Sequence, residues 1–264
     1  MSGIVTYKKL GENGRLGNQL FQIAATIGYG INHNKFYTFP QWEHSKFFKN
    51  FPDSLTDLSN LTQINEAGFS YNPLPFKEGD VNLEGYFQSE KYFAHCKKLV
   101  LAQLELNYKH QNTVNELYSE INPNNLETIA IHVRRGDYVT NAGTNEYHGV
   151  LPLTYYENAI EVANSSRKLL NQPLFVVFSD DIEWCKQYFK SELLNIHFME
   201  QNGAVIDLFL MAKCDHQIIA NSSYSWWAAW INQNPDKIVI APEYWFKGGP
   251  RNTDDLIPES WIRI

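Results

Sequence analysis

The segment IAIHVRRGDY, residues 129–138, joins a run of apolar and β-branched residues directly to a cluster of charged side chains. Such a run is typical of a buried strand, and residues two apart along a strand point to the same face. His132 and Arg134 are therefore predicted to share one face, with Arg135 on the other. Because a guanidinium can hold a diphosphate through two parallel hydrogen bonds, Arg134 is the first candidate for chemistry, with His132 beside it.

The arginine pair also has a purely structural interpretation. Two neighbouring guanidinium groups repel each other, so a carboxylate is expected close to them, and Asp137 is the nearest in the sequence. A surface salt bridge to Asp137 would account for the pair without any ligand. In the functional interpretation, Arg134 and Asp137 are the candidate catalytic residues, and Arg135 has a supporting role with Asp137 as its expected partner. Both interpretations stay open at the level of the sequence.

Three further loops carry polar side chains where predicted strands end. GENGRLGNQ follows the first strand, SDD follows PLFVVF, and NSSYS follows QIIA. Ligands of open parallel sheets bind beyond the carboxyl ends of the strands, so these loops are expected to lie near the same ligand as the arginines. The loops at 14–17 and 221–223 each open a predicted helix, whose free N–H groups favour phosphate.

Gly17, Asn18, Ser222 and Ser223 are the candidate phosphate-binding residues of these two helix starts. Each also has a structural interpretation, since a Gly-x-x-Gly pair can form a tight turn and a serine at a helix start is a routine N-cap. The first loop is not a P-loop, because no Gly-Lys-Ser/Thr follows its glycines. Asp180 also stands at a predicted helix start, where its interaction with the helix dipole accounts for part of its placement.

Asp207 stands in a helix that is otherwise rich in Ile, Leu, Phe and Met. It is either a residue of the exposed face or an acceptor for a pair of donors such as guanine N1–H and the guanine amino group. Asp181 and Glu183 are only faintly similar to an acidic metal motif, and no Asp-x-Asp occurs in the sequence. We therefore predict no bound metal, so that Arg134 does for a departing diphosphate what Mg²⁺ does elsewhere.

Composition limits the classes of function. The chain has 264 residues, 44% of them hydrophobic and 19% charged, as in an ordinary globular protein with ample core. The net charge of −7 argues against a general nucleic-acid-binding surface, so any anion site is expected to be a local cationic pocket. Cys96, Cys185 and Cys214 are well separated and form no C-x-x-C pair, which argues against a disulfide framework.

The sequence also indicates a cellular location. The first residues, MSGIVTYKKLGENG, show no basic-then-apolar signal pattern. No window approaches the roughly 18 apolar residues of a membrane span. We therefore expect a cytoplasmic protein without a transmembrane segment, with peripheral association with the inner membrane as a further option.

Apolar strands alternate with helices over most of the chain, which predicts an α/β fold with parallel sheets covered on both faces. GIVTY, a glycine-rich loop and NQLFQIAATIGYGI form a first β–loop–α unit, followed by the strand KFYTF. From Pro40 to about Pro75 no period is clear, so loops and short helices are expected. A helix capped near Ser89 is predicted to run to about Leu106.

The loop-forming segment INPNN, residues 121–125, predicts a boundary between two domains, 1–125 and 126–264. After it, TIAIHV, PLFVVF, IHFM, HQIIA and KIVIAP are predicted strands. The helices between them are predicted to begin near Thr154 and within SDDIEWCKQYF, AVIDLFLMAKC and NSSYSWWAAWIN. This order favours a parallel sheet in the second domain.

Five segments together resemble family 11 glycosyltransferases, the α-1,2-fucosyltransferases. They are GRLGNQLFQIA, GYFQSEKYF, HVRRGDY, FSDDIEWCK and NSSYSWWAAWI, which occur in this order from about Gly14 to Trp245. The pattern His-x-Arg-Arg-x-Asp is shared more broadly with α-1,6- and protein O-fucosyltransferases. The segment Ser-Ser-Tyr-Ser-Trp-Trp narrows the resemblance to family 11.

This resemblance implies a GT-B-like α/β fold, with two Rossmann-type lobes whose parallel sheets face a central cleft. It assigns the N-terminal lobe to the acceptor side and GDP-fucose binding to the C-terminal lobe. The implied reaction is an inverting, metal-independent transfer of L-fucose from GDP-β-L-fucose to the 2-hydroxyl of a galactoside. GDP-fucose and a galactose-containing oligosaccharide are then the partners, with no cofactor.

Carried over by position, the resemblance gives Arg134 the donor diphosphate. It implies that His132 and Asp207 contact guanine. Ser222 and Ser223 would bind the β-phosphate. The loop with Gly17 and Asn18 would face it across the cleft, and Asp180 is carried over as a donor-site residue.

The residue that takes the proton from the acceptor is not identified by the sequence. Asp137, Glu43, His44 and Glu90 are the candidates, and a dissociative reaction with late proton loss needs no strong base. Two other functions also stay open: another fucosyltransferase linkage such as α-1,6 on the same fold, and a non-catalytic nucleotide- or glycan-binding protein. Product linkage distinguishes the first, and GDP binding without turnover the second. The resemblance favours a bacterial-type enzyme of surface polysaccharide synthesis.

Overall fold

A computed structural model of the chain describes residues 3–52, 54, 59–166, 172–189 and 194–264. The packing divides the chain into two units, Met1–Gln111 with Asp254–Pro258, and Asn112–Thr253 with Glu259–Ile264. The division therefore falls earlier than residue 125, the boundary proposed from the sequence. The division lies inside a helix, Tyr108–Ile121. This helix is continuous because neither glycine nor proline interrupts the segment. INPNN marks the end of this helix.

The first unit contains a parallel sheet packed on a long buried helix. Its elements are β1 (Ile4–Thr6), α1 (Leu16–Asn32), β2 (Phe36–Tyr37), β3 (Thr62–Asn65), β4 (Val81–Glu84) and α2 (Lys97–Gln103). The described strands are ordered β2-β1-β4-β3, and all of their pairings are parallel. Most of α1 is buried, as its apolar composition predicts.

Two expectations for the first unit were wrong. The stretch after Pro40, part of which lies outside the described residues, contains the strand β3, whose single buried residue, Ile64, leaves little apolar pattern to detect. The predicted helix from Ser89 is instead a pair of 3₁₀ turns followed by α2. Ser89 does cap the first turn by accepting from Lys91 N at 3.3 Å, but the non-helical backbone of Phe93 ends it.

The second unit is built on a larger parallel sheet. Its elements are α3 (Tyr108–Ile121, which begins before the division), β5 (Thr128–Val133), α4 (Gly136–Thr140), α5 (Ala142–His148), α6 (Leu153–Ser166), β6 (Leu174–Ser179), α7 (Ile182–Tyr188), β7 (Ile196–Phe198), α8 (Ala204–Lys213), β8 (His216–Ile218), α9 (Ser223–Ile231), β9 (Val239–Ala241) and β10 (Ile262–Arg263). The described strands are ordered β10-β9-β8-β5-β6-β7 and all pair in parallel. The predicted strands are confirmed, whereas α4, α5 and β10 were not predicted.

The strand order places a topological switch at β5. The chain runs outward from β5 through β6 to β7, and α8 then returns it to β8 on the other side of β5. In such sheets a crevice opens where neighbouring loops leave in opposite directions, at the carboxyl ends of the strands. The core between the sheet and its helices buries three residues of β5, Ile129, Ile131 and Val133. Their burial fixes the position of the backbone from which the Arg134 side chain extends. Within the described residues, no helix is long and apolar enough to cross a membrane.

The first residue of β5, at the other end of this strand from Arg134, is held by its side-chain hydroxyl. Thr128 is fully buried at the start of β5. Its Oγ1 donates to Asp215 Oδ2 at 2.9 Å and accepts from Asp215 N at 3.0 Å, just before β8. The Thr128 backbone N–H donates to the same carboxylate oxygen at 2.8 Å. These bonds fix the relative placement of β5 and β8.

Replacing Thr128 by valine keeps the shape and removes the hydroxyl. We expect the free energy of unfolding to fall by about 1–3 kcal/mol, because half-buried Asp215 loses its two hydrogen bonds to the fully buried Thr128 hydroxyl. Urea denaturation of wild type and variant measures the difference. Thr154→Val, at an exposed helical position, is the matched control and should change stability by less than about 0.5 kcal/mol. Equal effects at both positions would contradict the argument.

Candidate functional site

The guanidinium of Arg134 lies between two carboxylates. Its Nη2 is paired with Asp137, in the first turn of α4, and its Nη1 lies 2.6 Å from Asp180 Oδ2, at the end of β6. Asp180 also accepts from the backbone N–H of Arg135 at 2.8 Å. The loops after two neighbouring strands are thereby joined around one side chain, which is only 15% exposed.

Arg135 points to a different partner from the one expected. Its Nε lies 2.9 Å from Asp181 Oδ2, and its guanidinium carbon lies 4.0 Å from the ring centroid of Trp184. Asp137 is paired with Arg134 instead, because α4 starts at Gly136 and brings that carboxylate back over Arg134. Asp181 is also the N-cap of α7, accepting from Trp184 N at 3.3 Å. The predicted pairing of Arg135 with Asp137 was therefore wrong.

Gly136 allows this arrangement because a side chain at that position has no room. A Cβ atom there would collide with Asp180 Oδ2, the oxygen that binds Arg134. The glycine of the RRGD segment thus permits the close approach of the two loops, and its φ angle is not in the left-handed region.

The charges of this cluster do not form a net cationic pocket. Two guanidinium groups face the carboxylates of Asp137, Asp180 and Asp181, which leaves one negative charge in excess. An arginine has five N–H donors, and the two ion pairs of Arg134 use two of them. A bound anion would therefore be held by the remaining directed N–H groups and not by an excess of positive charge.

His132 is a buried, neutral side chain at the end of β5. It is 6% exposed, and its Nδ1 has no hydrogen-bond partner among the residues that the structure describes. Burial, with a smaller contribution from Arg134, lowers the pKa of His132 to about 3. Its ring lies 5.5 Å from that of Tyr224. A buried nitrogen without a partner costs free energy, so a hydrogen bond made to this atom would stabilise the site.

The start of α9 lies after β8, the neighbour of β5 in the sheet. Ser222 is the N-cap and accepts from Tyr224 N at 3.4 Å, so the capping interpretation of this serine is correct. Ser223 is the first residue of α9. Asn221 is buried, and its carbonyl accepts from the Tyr138 hydroxyl at 3.1 Å. The binding of phosphate by the two serines stays a prediction.

Asp207 lies in the first turn of α8. Its carboxylate accepts from Asn202 N at 3.2 Å and from Asn202 Nδ2 at 3.1 Å. Burial raises the pKa of Asp207, and these bonds partly offset the effect. The starts of α8 and α9 are joined because the Tyr224 hydroxyl donates to Ala204 O at 2.6 Å. Tyr224 was not singled out from the sequence, although it directly follows the two serines of NSSYS.

Gly17 and Asn18 belong to the first unit, whereas the other predicted site residues belong to the second. Gly17 is buried in the first turn of α1. Asn18 accepts at its Oδ1 from Gln88 Nε2 at 2.8 Å, which ties this helix start to the GYFQ segment. Gly14 adopts a φ of +76°, and a Cβ atom there would collide with the side chain of Asn18.

A histidine in α5 was also missed. His148 stacks on Tyr138 with ring centroids 4.8 Å apart and planes at 9°, and Tyr138 in turn lies under Arg134, 5.3 Å from its guanidinium carbon. The sequence gave no reason to select His148, because the segment around EYHGV was not assigned to a helix or strand.

The described part of the chain contains no group of three or more His, Cys, Asp or Glu residues arranged to hold a metal ion.

Comparison with known proteins identifies the family. The model described as Glycosyl transferase family 11 matches residues 8–264. The O-antigen biosynthesis glycosyltransferase WbnK of Escherichia coli is 38% identical over 69% of this chain and 60% of its own length. An α-1,2-colitosyltransferase of E. coli is 38% identical over 71% of this chain and 63% of its own length. The chain thus spans less than two thirds of these relatives.

Among solved structures, the fold is similar to that of NodZ from Bradyrhizobium, an α-1,6-fucosyltransferase whose crystals were soaked with GDP-fucose. The TM-score is 0.53 at 14% identity, covering 88% of this chain and 93% of NodZ. Together with the parallel sheets of both units, this likeness confirms the predicted α/β class of GT-B type, with two Rossmann-type units. The resemblance to family 11 is also confirmed.

His132 should remain neutral in the folded protein from about pH 7.5 down to about pH 5, since its pKa is far below the ordinary value of about 6.5. The unfolded chain takes up this proton below about pH 6.5, so the contribution of His132 to stability falls as the pH drops below that value. Imidazole ¹⁵N NMR, with the signal assigned from its loss in His132→Asn, measures the titration. Protonation of this ring above about pH 5 would contradict the geometry.

Proposed function

Because the chain belongs to glycosyl transferase family 11, we propose that it transfers L-fucose from GDP-β-L-fucose to the 2-hydroxyl of a galactoside, with inversion and without a metal. One observation carries the proposal. The carboxyl ends of β5, β6 and β8 bring together a clamped arginine, a buried neutral histidine with a partnerless nitrogen among the described residues, and a serine-capped helix start. This set suits a nucleoside diphosphate sugar.

Arg134 and the start of α9 are proposed to hold the donor diphosphate. Sugar transfer passes through an oxocarbenium-like state while negative charge grows on the departing phosphate. Donors that are already oriented stabilise this developing charge more than the ground state, which is the requirement for catalysis. Asp180 serves here by holding Arg134 in place, and Ser222 and Ser223 supply donors to the β-phosphate.

Guanine is proposed to lie against His132, Asp207 and Tyr224. The ring of His132 and the carboxylate of Asp207 offer polar groups for the base edge, and the aromatic ring of Tyr224 is held close to His132. Gly17 and Asn18 are assigned to the donor by the family resemblance.

The acceptor is proposed to be a galactose-containing oligosaccharide. The O-antigen function in the name of WbnK supports an acceptor that belongs to a surface polysaccharide.

A second donor, GDP-colitose, is favoured by one observation, the 38% identity with an α-1,2-colitosyltransferase. Colitose is fucose without its 3-hydroxyl, so the two donors share the same diphosphate and guanine. The experiment incubates the protein with GDP-fucose or GDP-colitose and a panel of β-galactosides in EDTA, and then determines the linkage of the product.

α-1,2-Linked fucose formed in EDTA supports the proposal. A preference for GDP-colitose selects the second donor, and an α-1,6 product selects the other linkage. GDP binding without any transfer would make the protein a binding module. Loss of all activity in EDTA would contradict the metal-free reaction.

Arg134→Ala should lower kcat/KM by at least about a hundredfold, since the charge-assisted hydrogen bonds that it removes are worth about 1.5–3 kcal/mol each and about 1.36 kcal/mol corresponds to tenfold. Arg134→Lys should be intermediate, because it keeps the charge but not the fork of donors. Steady-state kinetics with GDP-fucose measures both. Arg251→Ala, at an exposed position, is the control, and near wild-type turnover of Arg134→Ala would reject the role.

Asp207→Asn should abolish the preference for GDP over inosine diphosphate, which lacks the amino group of guanine. Wild type is expected to prefer GDP by about tenfold or more, the value of one hydrogen bond to a charged acceptor. This preference should weaken as the pH falls through the raised pKa of Asp207, because the protonated carboxyl accepts less well. Calorimetry with both nucleotides tests this, with Glu200→Gln as the exposed-carboxylate control. An unchanged preference would remove Asp207 from the guanine site.

A further inference from the structure

Beside the arginine cluster, the second unit carries a group of aromatic rings that the donor assignments do not use. Tyr147, His148 and Phe246, here called the aromatic shelf, lie with ring centroids between 4.9 and 5.5 Å apart. Tyr147 is 44% exposed, so part of its ring is open to a ligand. The shelf continues into the site, because His148 stacks on Tyr138, whose ring lies under Arg134.

The backbone holds the shelf in a fixed shape. Asn221, which directly precedes the cap of α9, donates from Nδ2 to His148 O at 2.9 Å, to Gly149 O at 3.2 Å and to Trp245 O at 3.2 Å. The backbone N–H groups of residues 247 and 248 both donate to Tyr147 O at 3.0 Å. The rings therefore keep their position relative to the start of α9.

Two glycines allow this close packing. A Cβ atom on Gly248 would lie 2.7 Å from Glu146 O, and one on Gly249 would lie 2.8 Å from the Phe246 ring. Side chains at these positions would push the segment after β9 away from the end of α5. The shelf is thus a prearranged surface, which lowers the ordering cost of binding.

The imidazole of His148 is the polar group of the shelf. Its Nδ1 is buried and has no hydrogen-bond partner within the described residues, so Nε2 is the nitrogen that a ligand can reach. Burial lowers the pKa of His148, with Arg134 adding to the effect and Asp137 opposing it. The ring is therefore neutral near pH 7, as a proton acceptor must be.

We propose that the aromatic shelf binds the pyranose ring of the acceptor and that His148 is the base that takes the proton from its attacking hydroxyl. This inference rests on the proposed function. Aromatic rings favour the apolar C–H face of a pyranose by burying it from water, and sugar sites combine such rings with a few polar groups. Because the shelf adjoins Arg134 through Tyr138, the acceptor lies next to the diphosphate end of the donor.

The proposed step balances in atoms and charge. The acceptor oxygen forms a bond to the fucose anomeric carbon, while the bond from that carbon to the β-phosphate oxygen breaks and its electron pair leaves with GDP. The acceptor proton moves to His148 Nε2, and the imidazolium later releases it to water. Asp137, whose charge favours the protonated imidazole, stabilises the cation that forms.

Within the described residues, two charged groups act on the pKa of His148. Arg134 and Asp137 face the imidazole electrostatically, and Tyr138 and Tyr147 contact it through their rings. Lys247 packs its aliphatic chain near Gly149 and directs Nζ towards Asn145 Oδ1 at 3.4 Å. Activity should thus be lost as the pH falls through the lowered pKa of His148, below about pH 6.5.

His148→Gln tests the base. We expect kcat to fall about a hundredfold or more, the acidic limb of the kcat profile to disappear, and the Kd for GDP to stay unchanged. His197→Gln is the matched control, because His197 is also half-buried with a pKa lowered by burial but lies on the edge strand β7. Its kcat and pH profile should equal those of wild type.

Tyr147→Ala and Phe246→Leu test the shelf. Each should raise the KM for the galactoside several-fold and leave the KM for GDP-fucose unchanged. A raised donor KM instead, or an unchanged kcat and acidic limb in His148→Gln, would overturn the inference. Loss of GDP binding or of thermal stability in His148→Gln would show a structural role and overturn it as well.

Measuring transfer by the wild-type protein distinguishes a failure of this inference from a failure of the proposed function. If wild type transfers neither fucose nor colitose, the proposed function fails and the inference falls with it. If wild type transfers fucose and His148→Gln is as fast, only the inference fails. If colitose is the sugar transferred, the same variants are measured with GDP-colitose, and the same results decide.

Discussion

The placement of one guanidinium between two carboxylates is the constraint on which the second unit's site depends. Arg134 joins Asp137 of α4 to Asp180 after β6, and Asp180 in turn fixes the backbone of Arg135. A charge this far removed from water is tolerated only when its partners and hydrogen bonds are complete. The loops after two adjacent strands therefore adopt one arrangement together, and Gly136 supplies the space that this arrangement needs.

The balance of charge in that cluster shapes the chemistry that the proposed function requires. A diphosphate meets carboxylates as well as guanidinium groups, so ground-state attraction is modest. The N–H donors of Arg134 are nevertheless already aimed, and their value rises as charge accumulates on the departing phosphate. Under the proposed function, such a site would bind the ground state weakly and stabilise the transition state more strongly.

The sequence predicted those features that depend on local pattern, and missed those that depend on distant contacts. β5 was located from residue 128 to 133 because its run of apolar residues is buried in the sheet, and the helix predicted within SDDIEWCKQYF is confirmed as α7. The pairing of Arg135 with Asp181 could not be predicted, since it depends on where α4 begins. The aromatic shelf brings residues 147 and 148 to residue 246, and no spacing rule connects such positions. β3 and β10 bury too few residues to leave a pattern.

The segment that narrows the resemblance to family 11 combines two different physical roles. Trp226, Trp227 and Trp230 are buried and pack against one another, with centroids 5.1 to 6.2 Å apart, so they belong to the core and do not line a ligand site. Rings of this size bury large apolar areas and thereby stabilise the packing of α9 in the core. The cap at Ser222 and the ring of Tyr224 lie at the start of the same helix, so the packing of the tryptophans helps to position them. If the proposed function holds, the packed core of this helix helps to orient the polar end that binds the diphosphate.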